Sequence, residues 1–158
     1  MAVARRVKRP LADFARDELF RPLGIESFRW ASTSEGTPDG AAGLQLSALD
    51  MLRVGRMALQ GGRWQDRQIV PQRFMREATS RQVATDFPPR GPAQLWGYGY
   101  LWWTASTRDE DLPAFAAAGY GGQFIHVVPA LDLVAVAQTE QQSRAIAART
   151  SALLRDFV

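Results

Sequence analysis

The sequence predicts an α+β protein: N-terminal helices, then an antiparallel β-meander, then a C-terminal helix packed on the sheet. Three observations point there. Between residues 10 and 80, apolar side chains recur at helical spacing. From residue 96 onward the chain breaks into short segments rich in aromatic residues, Val and Ile, punctuated by Gly, Pro and charged turns. The last stretch, 141–157, returns to helical spacing, with Ile146, Leu153, Leu154 and Phe157 on or near one face.

Taken in order, the elements have local reasons. The basic run Arg5-Arg6-Val7-Lys8-Arg9 reads as a solvated, flexible tail over residues 1–9. Pro10 suits the first turn of a helix, where a missing N–H costs nothing, and Leu11, Phe14, Ala15 and Leu19 follow on one side through residue 20. Pro22-Leu23-Gly24-Ile25 ends that helix, and residues 31–43, rich in Ser, Thr, Gly, Pro and Asp, read as a long loop. Ser47 with Asp50 three positions later offers an approximate capping box for a helix running to about Gln60, which Gly61-Gly62 stops. Residues 68–70 form a short extended piece, and Pro71 opens a helix to about Ser80. Residues 84–93 hold three Pro and a Gly and read as a loop. Strands are expected at 96–104, 112–118, 123–128 and 133–139, with a charged turn at 107–111 and a hairpin turn at Pro129-Ala130-Leu131-Asp132. A helical part over about 10–83 and a sheet with its closing helix over about 94–158 thus make up one domain, 10–158.

Composition excludes several functions. The 158 residues are 46% hydrophobic and 22% charged, as in an ordinary globular domain. The net charge of +3 comes from 18 scattered Arg and one Lys, so a nucleic-acid partner is not expected. Cysteine is absent and His126 is the only histidine, so no thiolate site, histidine metal cluster or other metal site is expected, and no cofactor. No stretch approaches the roughly 20 apolar residues of a membrane-spanning helix. The N-terminal basic run lacks the apolar segment of a secretory signal. As given, the chain reads as cytoplasmic, with the compartment of any longer parent left open.

Nucleophilic catalysis needs a nucleophile beside a base. The eight Ser stand at 27, 32, 34, 47, 80, 106, 143 and 151; none lies in Gly-x-Ser-x-Gly, and none precedes a Lys by three. Ser47 reads as a helix cap, and His126, between apolar neighbours, as a strand residue rather than a base. Asp109-Glu110-Asp111 reads as a solvated turn. What remains is the run Ala117, Ala118, Gly119, Tyr120, Gly121, Gly122 and Gln123. It has no P-loop Lys and opens no helix, which argues against phosphate. Glycines at a strand end mark either a bulge packed tightly against a neighbour or a place where a ligand meets backbone N–H groups.

Four stretches in order resemble the C-terminal half of the penicillin-recognising serine hydrolases: class C β-lactamases, related esterases and hydrolases of the 6-aminohexanoate-dimer type. Leu19-Phe20-Arg21-Pro22-Leu23-Gly24-Ile25 is similar to that family's F-x-P-L-G-M. Gly43-Leu44-Gln45-Leu46-Ser47-Ala48-Leu49-Asp50-Met51 is similar to its G-G-L-x-S-x-x-D-L-A-R. Gly61-Gly62-Arg63-Trp64 through Ile69-Val70-Pro71 resembles its G-G-x-W-x-G-x-x-I-L-S. Gly119-Tyr120-Gly121-Gly122-Gln123, with Pro129 and Asp132-Leu133-Val134, resembles the strand of its third motif and the return strand.

The resemblance implies a partial β-lactamase/transpeptidase-like fold and hydrolysis of a small-molecule ester or amide through an acyl-enzyme in the intact protein. Counting back from Pro129, it puts the family's Lys/His-Thr/Ser-Gly on Ala117-Ala118-Gly119 and the oxyanion N–H on Tyr120. The usual cation is then Ala117, which weakens β-lactam carboxylate recognition and suits the ester and amide branches. The family's upstream Ser-x-x-Lys and Tyr-x-Asn are both missing, for this sequence has no Asn and only Lys8. The resemblance therefore implies no catalytic residue in this chain, inactivity in isolation, and a missing N-terminal half; a non-catalytic ligand-binding or complementing module is the alternative. An aromatic rim is expected around Trp96, Tyr98, Tyr100, Trp102 and Trp103, with alternate residues in the core. Apolar faces that the missing half would cover make the isolated chain marginal in solution.

Overall fold

The computed structural model describes residues 2–40, 42–85, 93–107 and 111–139. The closing helix expected over 141–157 and the acidic pair Asp109-Glu110 lie outside the described residues.

The N-terminus departs from expectation. Residues Ala2–Val7 form a helix, α1, where a flexible tail was expected. Arg9 makes ion pairs with Asp17 and, at 3.2 Å, with Glu18. Arg9 thus finds acidic partners eight and nine residues on. Helix α2 (Leu11–Ala15) starts after Pro10, whose φ of −54° fits a helix entry. It widens into a π-helical turn over Arg16–Phe20, where Arg21 N–H reaches back to the Arg16 carbonyl at 2.8 Å. Gly24, at φ +72°, reverses the chain, and Ile25 N–H closes onto the Phe20 carbonyl at 2.8 Å. Phe20, Leu23 and Ile25 are thereby buried in a first core cluster with Ala15 and Met57. Phe28 packs on Phe20 at 4.5 Å between ring centroids.

At the two ends of the expected loop, short pieces pair antiparallel: β1 (Arg29–Trp30) with β2 (Leu44–Gln45). Ser47 caps α3 (Ala48–Leu59) as expected: its Oγ accepts from Asp50 N–H at 3.1 Å and donates to the Asp50 carboxylate at 2.6 Å. Gly61 and Gly62, at φ +63° and +88°, end the helix. The hairpin β3 (Arg63–Trp64) and β4 (Arg67–Gln68) leads to α4 (Gln72–Ala78), entered after Pro71.

The sheet is a continuous antiparallel meander in the order β10-β9-β8-β7-β6-β5. Its strands are β5 (Val83–Ala84), β6 (Ala93–Tyr98), β7 (Trp103–Thr107), β8 (Pro113–Gly119), β9 (Gln123–Val128) and β10 (Leu133–Ala137). Three of the four expected strands stand nearly as read. The fourth, 96–104, is instead two strands folded back on each other, with Tyr98 opposite Trp103. Gly99 N–H bonds the Trp102 carbonyl at 2.7 Å, and Leu101 takes φ +62°, a conformation that nothing in the sequence advertises for a leucine. Ala84, read as loop, belongs to β5.

One sheet face packs on α3. Phe115, Ile125 and Val127 form a second cluster with Ala58 and Met75, flanked by Val134, Val136, Trp102 and Ala117. The opposite face carries Ala105, Ala114 and Val128 with Trp103 and Leu133. Gly55, mid-helix, sets the separation: a methyl there would come within 2.6 Å of Val134 Cγ1 and 2.7 Å of Ile125 Cγ2. Alanine raises helix propensity by about 1 kcal/mol over glycine, but overpacking of this kind costs about 1–3 kcal/mol. Gly55→Ala is therefore expected to lower stability, or at best leave it unchanged, in a denaturant titration, where an exposed-helix Gly→Ala would raise it.

Candidate functional site

The run 117–123 forms the end of β8, a tight turn and the start of β9. Gly119 and Gln123 are Cα partners, and Tyr120, Gly121 and Gly122 make the connection between them. Gly121 and Gly122 hold φ +83° and +92°, which a side chain would resist. The glycines serve a turn between strands rather than a bulge within one.

Alternation along β8 sorts the expected residues. Ala117 lies opposite Ile125 and packs at the margin of the second cluster, on the α3 face. Ala118 is half-buried on the other face, and Gly119 is exposed. Tyr120 is 80% exposed, the largest value among the exposed large apolar and aromatic side chains described. Among the described residues nothing accepts a hydrogen bond from the Tyr120 N–H, so that donor points free at the tip of the turn. Gln123 faces inward and is held by hydrogen bonds to Thr139.

The aromatic residues divide. Trp102 packs edge-on against Phe115, at 5.4 Å, on the α3 face beside Ala117. Tyr98 and Trp103 contact each other at 4.6 Å on the opposite face. Tyr100 is 46% exposed at the β6–β7 turn and touches Phe74 of α4 at 5.8 Å. The antiparallel register sets the β6–β7 turn alongside the end of β8, so Tyr100, Leu101 and Trp102 border the same end of the sheet as Tyr120. Of the residues expected as a rim, Trp102 and Tyr100 lie at that end of the sheet, while Tyr98 and Trp103 pack on each other. Nothing in the sequence pattern separated these two roles, because the turn at 99–102 lacks a usual turn residue pair.

His126 lies opposite Ala116 and Ala135, on the face away from Ala117. It is 2% exposed, and its Nε2 has no partner among the described residues. Burial pushes its pKa from 6.5 down to about 4, so the ring is neutral at pH 7. Position and environment both remove it from the chemistry of the turn. Among the described residues no group of three or more His, Asp or Glu is gathered to hold a metal ion, and no helix is long and apolar enough to cross a membrane.

A six-stranded meander on a Ser-capped helix, with a glycine turn offering a free backbone N–H at one end, defines the sheet portion of a β-lactamase-type serine hydrolase fold. A family model described as Beta-lactamase matches residues 1–157, and the chain belongs to that family. No curated protein matches it in sequence. Among solved structures it is similar to a Bacillus anthracis protein described as a 6-aminohexanoate-dimer hydrolase, with a TM-score of 0.74 and 22% identity over 98% of this chain and 39% of that one. It is also similar to a Bacteroides dorei DSM 17855 protein described as a β-lactamase, with a TM-score of 0.56 and 16% identity over 89% of this chain and 50% of that one. The chain thus spans half or less of the length of these neighbours.

The buried His126 ties stability to pH. The unfolded chain takes up the imidazole proton near 6.5, the folded chain only near 4. As pH falls through that window the unfolded state binds the proton first, so stability is lost, by up to about 3 kcal/mol. Thermal midpoints measured from pH 7 to pH 4 are expected to fall, and His126→Leu is expected to flatten that slope.

Proposed function

We infer that this chain supplies the sheet wall and one backbone oxyanion donor, the Tyr120 N–H, of a serine hydrolase acting on uncharged esters or amides. The observation that carries the reading is the unpartnered Tyr120 N–H at the tip of a turn whose flanking side chain, Ala117, is neutral. A donor of this kind, pre-positioned and free, suits the negative oxygen that develops when an acyl carbon is attacked. The neighbours of Ala117 are Ile125 and Trp102, so that wall offers apolar contact and no charge for a carboxylate. A neutral acyl group fits this lining better than an anionic one.

The chain's own serines do not complete the chemistry. None stands three residues before the single Lys, and Asn is absent. Ser47 spends its hydroxyl on capping α3. An oxyanion donor without its nucleophile gives only weak residual catalysis. The nucleophile and base are therefore supplied from outside these residues, by a preceding portion of a longer protein or by a separate complementing polypeptide. The same absence supports a second reading, a non-catalytic module that uses this wall to bind an acyl ligand.

The isolated chain is expected to turn over neither nitrocefin nor a nitrophenyl ester. Co-expressed with the Ser-x-x-Lys and Tyr-x-Asn half of a related hydrolase, it is expected to give nitrophenyl-ester turnover, and Tyr120→Pro, which deletes the N–H, to lower kcat about 10²–10³-fold. Assembly of the two halves without any turnover would favour the non-catalytic reading. Turnover unaffected by Tyr120→Pro would remove Tyr120 from the oxyanion site.

A further inference from the structure

The free N–H of Tyr120 has a use only if the turn holding it keeps one shape, and its two glycines, at φ +83° and +92°, oppose that by their freedom in the open state. Regular pairing ends just short of the turn. The β9–β10 ladder stops at Phe124 opposite Ala137, and the β8–β9 ladder stops at Gly119 opposite Gln123. Beyond these points the carboxamide of Gln123 takes over. Its Nε2 donates to the Thr139 carbonyl at 2.7 Å, and its Oε1 accepts from the Thr139 N–H at 3.3 Å. A primary amide presents the same donor and acceptor as a peptide group, so the side chain extends the sheet ladder by one rung. The Thr139 hydroxyl then donates to the Gly121 carbonyl inside the turn. The next residue back, Gln138, donates its Nε2 to the Leu46 carbonyl at 2.8 Å, tying this same stretch to the entrance of α3.

We propose that Gln123 and Thr139 are positioning residues for the Tyr120 N–H: together they lock the glycine turn to the end of β10. This rests on the reading of Tyr120 as an oxyanion donor. Neither side chain bonds the Tyr120 N–H itself; each acts through the peptide planes of residues 121–123. The Gly119–Gln123 pair fixes one side of Tyr120 and the Thr139–Gly121 bond fixes the other. Because Gln123 uses both ends of its amide, no single-function replacement reproduces it. Glutamate keeps an acceptor but loses the donor to the Thr139 carbonyl, and places a negative charge beside that oxygen. Serine at 139 keeps the hydroxyl that valine lacks.

The test uses the full chain and three readouts: the {1H}–15N NOE at residues 120–122, amide hydrogen exchange at Val127 and Val134, and the amide shift of Tyr120 during titration with methylphosphonate as an oxyanion mimic. The {1H}–15N NOE at residues 120–122 is expected to fall toward that of a flexible loop in Gln123→Ala and Thr139→Val. Methylphosphonate affinity is expected to fall about tenfold, and Thr139→Ser to restore both. Amides of Val127 and Val134 are expected to keep their protection, which separates a loosened turn from a loosened fold. Wild-type NOE values and titration in Gln123→Ala would overturn the clamp. So would loss of protection at Val127 and Val134 along with the turn, which would make Gln123 an ordinary packing residue. If the variants loosen the turn while methylphosphonate leaves Tyr120 unmoved in the wild-type chain, the clamp stands and the oxyanion reading falls.

Discussion

The approach of α3 to the sheet at Gly55 governs the rest of the structure. Helix and sheet bury their shared apolar surface only if the helix can come close, and a bare Cα at that crossing lets Ile125 and Val134 sit directly beneath it. Around that contact gather Phe115, Val127, Ala58 and Met75. Full burial of one such side chain is worth about 1.5–3 kcal/mol, so the cluster is the main source of cohesion between the helical region and the meander. The ends of α3 are then fixed by polar means. The Ser47 hydroxyl satisfies the Asp50 N–H, and Arg56 approaches Asp132 in the β9–β10 connection at 3.6 Å. The latter pair is solvent-exposed and adds direction more than energy.

The candidate site depends on this arrangement without being part of it. Its donor is a backbone group, its glycines supply shape, and Ala117 beside it is neutral. The site therefore carries almost no formal charge of its own. Arg16, Asp13 and Asp17 form their ion pairs in the N-terminal helices, where they hold a surface together. The one buried ionisable ring, His126, lies across the sheet and contributes a pH-dependent cost rather than a proton.

Legibility in the sequence followed the range of the interactions. Ser47, Gly61-Gly62, Pro71 and Pro129-Ala130-Leu131-Asp132 act within a few residues of themselves, and each marked an element boundary that the structure keeps. The strands 112–118, 123–128 and 133–139 were readable because turn residues bracket them. Residues 96–104 misled because Leu101 reverses the chain without Gly, Asn or Pro at that position. The helix over Ala2–Val7 went unread because its charged residues form no apolar stripe, and the partners of Arg9, Asp17 and Glu18, lie most of a helix away. The β1–β2 pair joins the two ends of a polar loop by only two residue pairs, too few to leave a pattern. At the site, the turn and its glycines were legible. Gln123 and Thr139, 16 residues apart, meet only because two hairpins fold side by side, and no spacing rule announces that.

The helical part and the meander meet a second time at α4. Gly99 lies under the last turn of that helix, where a side chain would run into the Ala78 and Ser80 carbonyls. Tyr100 N–H satisfies the Ala78 carbonyl at 3.0 Å, and Gln82 N–H bonds the Tyr98 carbonyl at 3.0 Å. Strand β5, the outermost of the sheet, follows α4 directly in the chain. The boundary between helices and strands is thus a line in the sequence and not a seam in the object. Cut there, the first piece keeps an uncapped helix end and a strand with no neighbour, and the second keeps a sheet with one apolar face bare. Shuffling, swapping or grafting of the sheet onto another scaffold must carry α3 and α4 with it.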